Sequence, residues 1–250
     1  MADLSSGTVS CNGSMARPNN GHVCDSGVFC LEDWHFSSSL SGTFSVFDPT
    51  GAVLITKELT ANIFTSGISR NGKYAFCATA NSPSDNGNKV FLFDLLKRVE
   101  LYCVTPKAGW PGRYEVDEKT GELIAHFKAV GSFRYDSDGL FLDGDQLENA
   151  NLTSSRFERI LLSAEKELGE FDLTDERVLE VLNAVQRARS LGADGYPAWR
   201  ATALKVQGLA YERLGKDAEA VQVYEEALSL NPKIGVKRRL ASMAKRINAG

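Results

Sequence analysis

Residues 201–232 read ATALKVQGLAYERLGKDAEAVQVYEEALSLNP, and this stretch decides how the C-terminal half is built. Gly208 and Ala220 are small enough to let two helices approach closely, while Tyr211 and Tyr224 fill the space beside them. Gly215 turns the chain between the helices, and Pro232 stops the second one. A helix pair follows from these residues alone. Outward from it, the period stays near 3.6 back to about residue 150. Ser155 with Glu158 has capping-box spacing, and Phe157, Ile160, Leu161, Ala164 and Leu168 share one face. Thr174 is placed to cap a further helix, with Asp175 and Glu176 at its positive end and Gly192 at its stop. Residues 236–247 predict a last, capping helix.

The matched positions Leu204, Gly208, Tyr211, Gly215, Ala220, Tyr224, Ala227 and Pro232 resemble the tetratricopeptide repeat, a helix-turn-helix unit of fixed small and large residues. Gln207 departs from the pattern, which expects a large apolar residue there. One repeat cannot bury its own faces, so the helices near 154–169 and 174–191 and the last helix are expected to complete the stack. The resemblance implies a groove lined by the first helix of the pair, with Thr202, Lys205, Leu209 and Glu212 facing it. Some family members hold a C-terminal carboxylate at the position of Lys205. Leu209 replaces the asparagine expected beside it, which argues against that clamp. The alternative is that these residues pack against residues 178–185 and leave no open groove.

Residues 41–143 are written differently. Thr43–Phe47 alternates apolar and polar, Asn71-Gly72 marks a hairpin, and Lys119-Thr120-Gly121 turns the chain again. The strings GTFSVFD (42–48) and KVFLFDL (89–95) are alike at a spacing of about 46 residues, and so resemble strands of β-propeller blades. About two blades fit into that length, so either a small sandwich closes or sheet edges pair with a partner or another copy.

The chain has 250 residues, with a hydrophobic fraction of 43%, a charged fraction of 24% and a net charge of −4. That balance gives no general attraction to nucleic acid or anionic membranes. No apolar run is long enough to span a bilayer, and the start lacks the basic and apolar regions of a secretory signal, so the expected compartment is the cytoplasm. After residue 232 come Lys233, Lys237, Arg238, Arg239, Lys245 and Arg246 with no carboxylate. They form either a solvated face or a site for an acidic partner, RNA or phosphate.

Cys11, His22, Cys24, Cys30 and His35 are zinc donors by type, but no Cys-x-x-Cys knuckle occurs among them. Asp136, Asp138, Asp143 and Asp145 lack the calcium-loop order and read as turn residues. Gly109-Trp110-Pro111-Gly112 is a rigid turn, with Trp110 expected under the sheet.

The expectation is an α+β protein. An irregular segment (1–40) packs on or leads into an antiparallel β module of blade-like or sandwich form (41–147), and a helical domain like the tetratricopeptide repeat follows (152–250). The expected role is a non-enzymatic adaptor or assembly factor without cofactor or metal. It would bind a protein through Thr202, Lys205, Leu209, Glu212, Lys237, Arg238 and Arg239, and self-associate at sheet edges. The alternatives are a nucleic-acid-associated component using the basic last helix, and a Cys/His-dependent enzyme or zinc protein.

Overall fold

The computed structural model describes residues 2–3, 8–9, 11–35, 40–128, 130–170 and 172–247. Contacts divide the chain between Gly144 and Asp145 into a β unit and a helical unit.

In the β unit, strands β1 (Ala2–Asp3) and β2 (Thr8–Val9) pair antiparallel. Three larger sheets follow, each a meander in which neighbours in sequence pair antiparallel. Sheet I holds β3 (Pro18–Val23), β4 (Phe29–Asp33), β5 (Gly42–Phe47) and β6 (Val53–Leu59). Sheet II holds β7 (Ile63–Ile68), β8 (Tyr74–Thr79), β9 (Val90–Asp94) and β10 (Val99–Val104). Sheet III holds β11 (Arg113–Val116), β12 (Leu123–Phe127) and β13 (Gly131–Tyr135). The two alike strings fall on β5 and β9, each the third strand of its sheet and paired on both sides rather than the outer strand.

Sheet II is the middle layer, and its sequence says why. Every residue of β8 and β9 is buried, so both faces must be covered. Alternate residues then go to opposite neighbours. Ala75, Cys77, Phe91 and Phe93 pack with Cys30, Phe44, Val46 and Ile55 of sheet I, and the Phe44 and Phe93 rings stack at 5.7 Å. From the other face, Phe76 meets Tyr114 of sheet III edge-on at 5.7 Å. A fully buried phenylalanine stabilises by roughly 2–3 kcal/mol, so this one layer carries much of the unit.

The outer face of sheet III is polar. Glu115 accepts from His126 at 3.2 Å and pairs with Arg113 at 3.4 Å, while Asp143 holds Arg134. Its core face carries Tyr114, Val116, Leu123, Ala125 and Phe133. Such one-sided alternation ends a stack of sheets.

The expectation of an irregular segment over residues 1–40 needs correction at β3 and β4, which complete sheet I and raise the number of sheets from two to three. All six residues of β3, PNNGHV, are exposed on an inner edge, so no apolar alternation marks the strand.

The helical unit contains α1 (Gly144–Leu152), α2 (Phe157–Glu167), α3 (Asp175–Ser190), α4 (Pro197–Arg213), α5 (Asp217–Leu230) and α6 (Lys237–Ile247). The Thr174 side chain accepts from Arg177 N at 3.3 Å and starts α3. The predicted Ser155 cap is absent: Arg156 occupies the N-cap position without a side-chain bond, and Ser154 Oγ accepts Arg156 N instead. Gly215, at φ +69°, turns α4 into α5. One core gathers Ile160, Leu161 and Ala164 of α2, Val178, Val181 and Val185 of α3, and Ala203, Val206 and Ala210 of α4. A smaller one joins Ala220 and Tyr224 of α5 to Val236 and Met243. No described helix is long and apolar enough to cross a membrane.

Candidate functional site

On α4 the three- and four-residue spacing puts Thr202, Lys205, Leu209 and Glu212 on one stripe. The neighbouring stripe, Ala203, Val206 and Ala210, is fully buried in one core with Val178, Val181 and Val185 of α3, and Leu209 packs against that core, while Thr202, Lys205 and Glu212 stay part-exposed. Other helices brace the predicted groove stripe. Lys205 Nζ donates to Glu165 of α2. Glu212 accepts from Tyr224 Oη of α5 at 3.2 Å and from Arg239 of α6 at 2.9 Å. Leu209 is half-buried and belongs to both helical cores. Thr202 Oγ1 is spent on its own helix, donating to the Ala198 carbonyl at 3.0 Å. The stripe is thus a rail of paired charges that joins α2, α4 and α6 while Lys205 and Glu212 stay part-exposed.

Gln207, the departure from the repeat pattern, is buried but satisfied. Its Oε1 accepts from Arg189 of α3 at 3.0 Å, and its Nε2 donates to Tyr211 Oη at 3.1 Å. A buried amide with both ends bonded avoids the cost of an unpaired polar group.

The cations of α6 and the turn before it divide into two sets. Arg246 grips Asp217 with two bonds, at 2.9 and 3.0 Å, and Arg239 holds Glu212. Lys233, Lys237 and Arg238 are exposed and form no ion pair with a described residue. Two features of this unit escaped the sequence reading. Leu162 of α2 lies one turn from Glu165 and is 59% exposed. Phe157 meets Trp199 at 5.9 Å and Tyr196 at 5.8 Å, building an aromatic cluster at the start of α2 and α4.

In the β unit the inner strands β3, β7 and β11 line a trough of about 850 Å³, which reaches from His22 and Asp25 past Ser66 and Arg70 to Glu115 and Lys119. Its charges are mostly paired within the protein: Arg70 holds Asp25 at 2.6 Å, and Glu118 accepts Asn71 N at 2.7 Å.

The cysteine and histidine donors do not converge, and among the described residues no three His, Cys, Asp or Glu side chains are grouped as a metal would need. Cys24 Sγ bonds Ser26 Oγ, His35 bonds Ser41 and Thr43, and Cys30 stands opposite His22 in the β3–β4 ladder. Burial pushes the Cys30 thiol up to about 12, far from a nucleophile's range. The aspartates serve turns and sheet ends: Asp136 accepts from Asp138 N and Leu140 N, and Asp143 from Arg134.

Trp110 overturns the expectation of burial. It is 43% exposed and packs edge-on against Phe64, itself 49% exposed, at 4.7 Å.

Residues 201–234 match the tetratricopeptide repeat family. Solved structures similar to part of this chain include the β-propeller domain of Cps50 (Swd1) from Myceliophteria thermophila, at 17% identity and a TM-score of 0.37 over 52% of this chain and 36% of that one. The WD40 repeats of RRP9 match at 12% identity and a TM-score of 0.37, over 52% of this chain and 39% of that one. The β-propeller domain of the Trilobed protease from Pyrococcus furiosus matches at 14% and 0.35, over 52% and 42%. The chain therefore spans less than half of each of these structures. A search of curated proteins finds no match to the sequence.

Proposed function

We propose that this chain is a non-enzymatic adaptor or assembly factor of the cytoplasm, holding a partner protein on the α4–α6 side of its helical unit. One observation carries the reading: the α4 stripe is fixed by ion pairs to α2 and α6, yet its Thr202, Lys205 and Glu212 stay part-exposed. Fixed, part-exposed polar groups next to a half-buried leucine suit a protein contact, because little side-chain freedom remains to be lost on binding. Thr202, Lys205, Leu209, Glu212 and Arg239 form the rigid part, and Lys237 and Arg238 supply unpaired charge for an acidic segment of the partner.

The test replaces residues that no internal pair needs. A photo-crosslinking side chain at Thr202 captures the partner, which is then identified with and without Lys237→Glu/Arg238→Glu. Loss of the same partner from the variant, with the thermal midpoint unchanged, supports the reading. Retention of the partner at wild-type yield overturns it.

The absence of carboxylates after Lys233 favours a second reading, in which Lys233, Lys237 and Arg238 touch nucleic-acid phosphates. Arg239 and Arg246 are already spent on Glu212 and Asp217, which leaves a short stripe. A log–log salt slope near three for RNA binding, lowered by the same double variant, would select this reading.

A further inference from the structure

The pair Phe64–Trp110 is costly to leave in water, and the backbone goes to some length to present it. The β7–β8 register shifts between Ile63 and Thr65, so Phe64 is the extra residue of a bulge, the device that re-aims a side chain out of a ladder. The turn carrying Trp110 is tied down on both sides. Ala108 N donates to Tyr135 Oη at 3.0 Å, Gly109 N to the Pro106 carbonyl at 3.2 Å, and Gly112 N to the His126 carbonyl at 2.8 Å. Pro111 is buried beside it. The two rings stand at 89° to each other, and both stay exposed. Both sit at the upstream ends of inner strands, Phe64 on β7 and Trp110 just before β11.

We propose that this pair is a docking point for an extended, proline-containing and acidic segment of a partner chain. Three features select that chemistry. Pre-set aromatic rings suit proline, whose ring packs flat on them and whose polyproline II backbone arrives already ordered. The indole Nε1–H of Trp110 has no acceptor among the described residues, and the carbonyls of a polyproline II segment have no donors of their own. The third is charge: Lys107 lies three residues before Trp110, and Lys89, whose carbonyl accepts Thr79 N, lies at the Phe64 end of the β7–β8 ladder. Lys107 is exposed and unpaired, and Lys89 holds only the neutral Thr105 hydroxyl at 2.9 Å. This surface belongs to the β unit and is independent of the α4–α6 reading.

The experiment follows the three indole N–H signals of the full chain, Trp34, Trp110 and Trp199, by NMR while synthetic peptides are added. The first probe is a pair of aspartates followed by a polyproline tract. The second replaces the aspartates by lysines, and the third replaces the prolines by alternating glycine and serine. The first should move the Trp110 signal saturably in the range of about 10–500 μM and leave Trp34 and Trp199 in place. The lysine peptide should bind several-fold more weakly at low salt, with the gap closing at high salt. Phe64→Ala should weaken binding about tenfold with an unchanged circular dichroism spectrum. Because the wild-type signal is read directly, misfolding of a variant does not decide the matter. Three results overturn the proposal: no movement of Trp110 at millimolar peptide, equal movement with the glycine-serine peptide, or a self-associated wild type that Trp110→Ala makes monomeric without any peptide effect. The last would make a second copy the occupant.

Discussion

Gly208 of α4 and Tyr224 of α5 meet so closely that a Cβ at Gly208 would stand 2.4 Å from the Tyr224 ring carbon Cε1. Tyr224 is fully buried and its hydroxyl is tied to Glu212, so the ring has no room to retreat. Gly208→Ala gains at most about 1 kcal/mol of helix propensity. Overpacking costs on the order of 1–3 kcal/mol and wins here, because two helix backbones must separate. Urea melts should place the variant below wild type, with Gly208→Ala/Tyr224→Leu partly restored. A variant more stable than wild type would show that the helices are not pressed together at this point.

Lys205 and Glu165 pair across α4 and α2 while both remain partly exposed. An ion pair of this kind contributes about 1 kcal/mol or less, and reversal of one partner adds repulsion of similar size. Lys205→Glu and Glu165→Lys should each lower stability by about 1 kcal/mol, and the double exchange should recover most of it. A cycle with no coupling would mean the two helices do not meet there. The single reversal is for the same reason a poor probe of binding, since it disturbs the rail itself.

Cys30 and Cys77 lie inside the sheet I–sheet II core, and burial raises both thiols, that of Cys30 to about 12. Neither should react with iodoacetamide near pH 8 until the β unit opens, so their labelling rate should track unfolding. Cys103, on the exposed strand β10, should label in the native state. Mass spectrometry of peptides after timed labelling separates the sites. Native-state labelling of Cys77 at the rate of Cys103 would contradict the buried core.

How much of this was legible depends on whether a residue's partner lies nearby in sequence. The α4–α5 pair could be read because Gly208, Gly215, Ala220 and Pro232 act within one hairpin, and β5 and β9 because the two strings resemble each other. Strand β3 could not, since PNNGHV carries no alternation and is defined only by its pairing to β4. Gln207 reads as a defect until Arg189, from the preceding helix, supplies its partner. Trp110 reads as core by residue type, and its surface partner Phe64 is distant in sequence, on a bulge of β7. The basic tail looked like one stripe, but Glu212 and Asp217 neutralise two of its arginines.

Sheet III stops after three strands because a side chain takes over the ladder. Leu142 N donates to the Arg134 carbonyl at 2.9 Å, and Arg134 N then donates to the Asp143 carboxylate at 2.8 Å where a fourth strand would offer a carbonyl. The Arg134 guanidinium adds bonds at 2.9 and 3.0 Å to the same carboxylate. Those Arg134 bonds hold the Asp143 carboxyl below its ordinary value of 3.8, against the opposing pull of burial. The folded value is therefore lower than the unfolded one. The contribution is complete above the unfolded value and is lost as pH falls through the folded value. Asp143→Asn keeps the shape, loses the charge and turns an amide donor toward the guanidinium. The loss should be about 1–3 kcal/mol at pH 7, the range for hydrogen bonds to charged groups. Below about pH 4 the gap between wild type and variant should narrow, because Asp143 of the unfolded wild type then takes up a proton that the folded carboxylate still resists. Other depressed carboxylates, Asp33 among them, weaken both proteins alike, so the difference isolates Asp143. Urea melts at pH 7 and pH 3 measure it. A gap of equal size at both values would remove the carboxylate from the account of how this sheet ends.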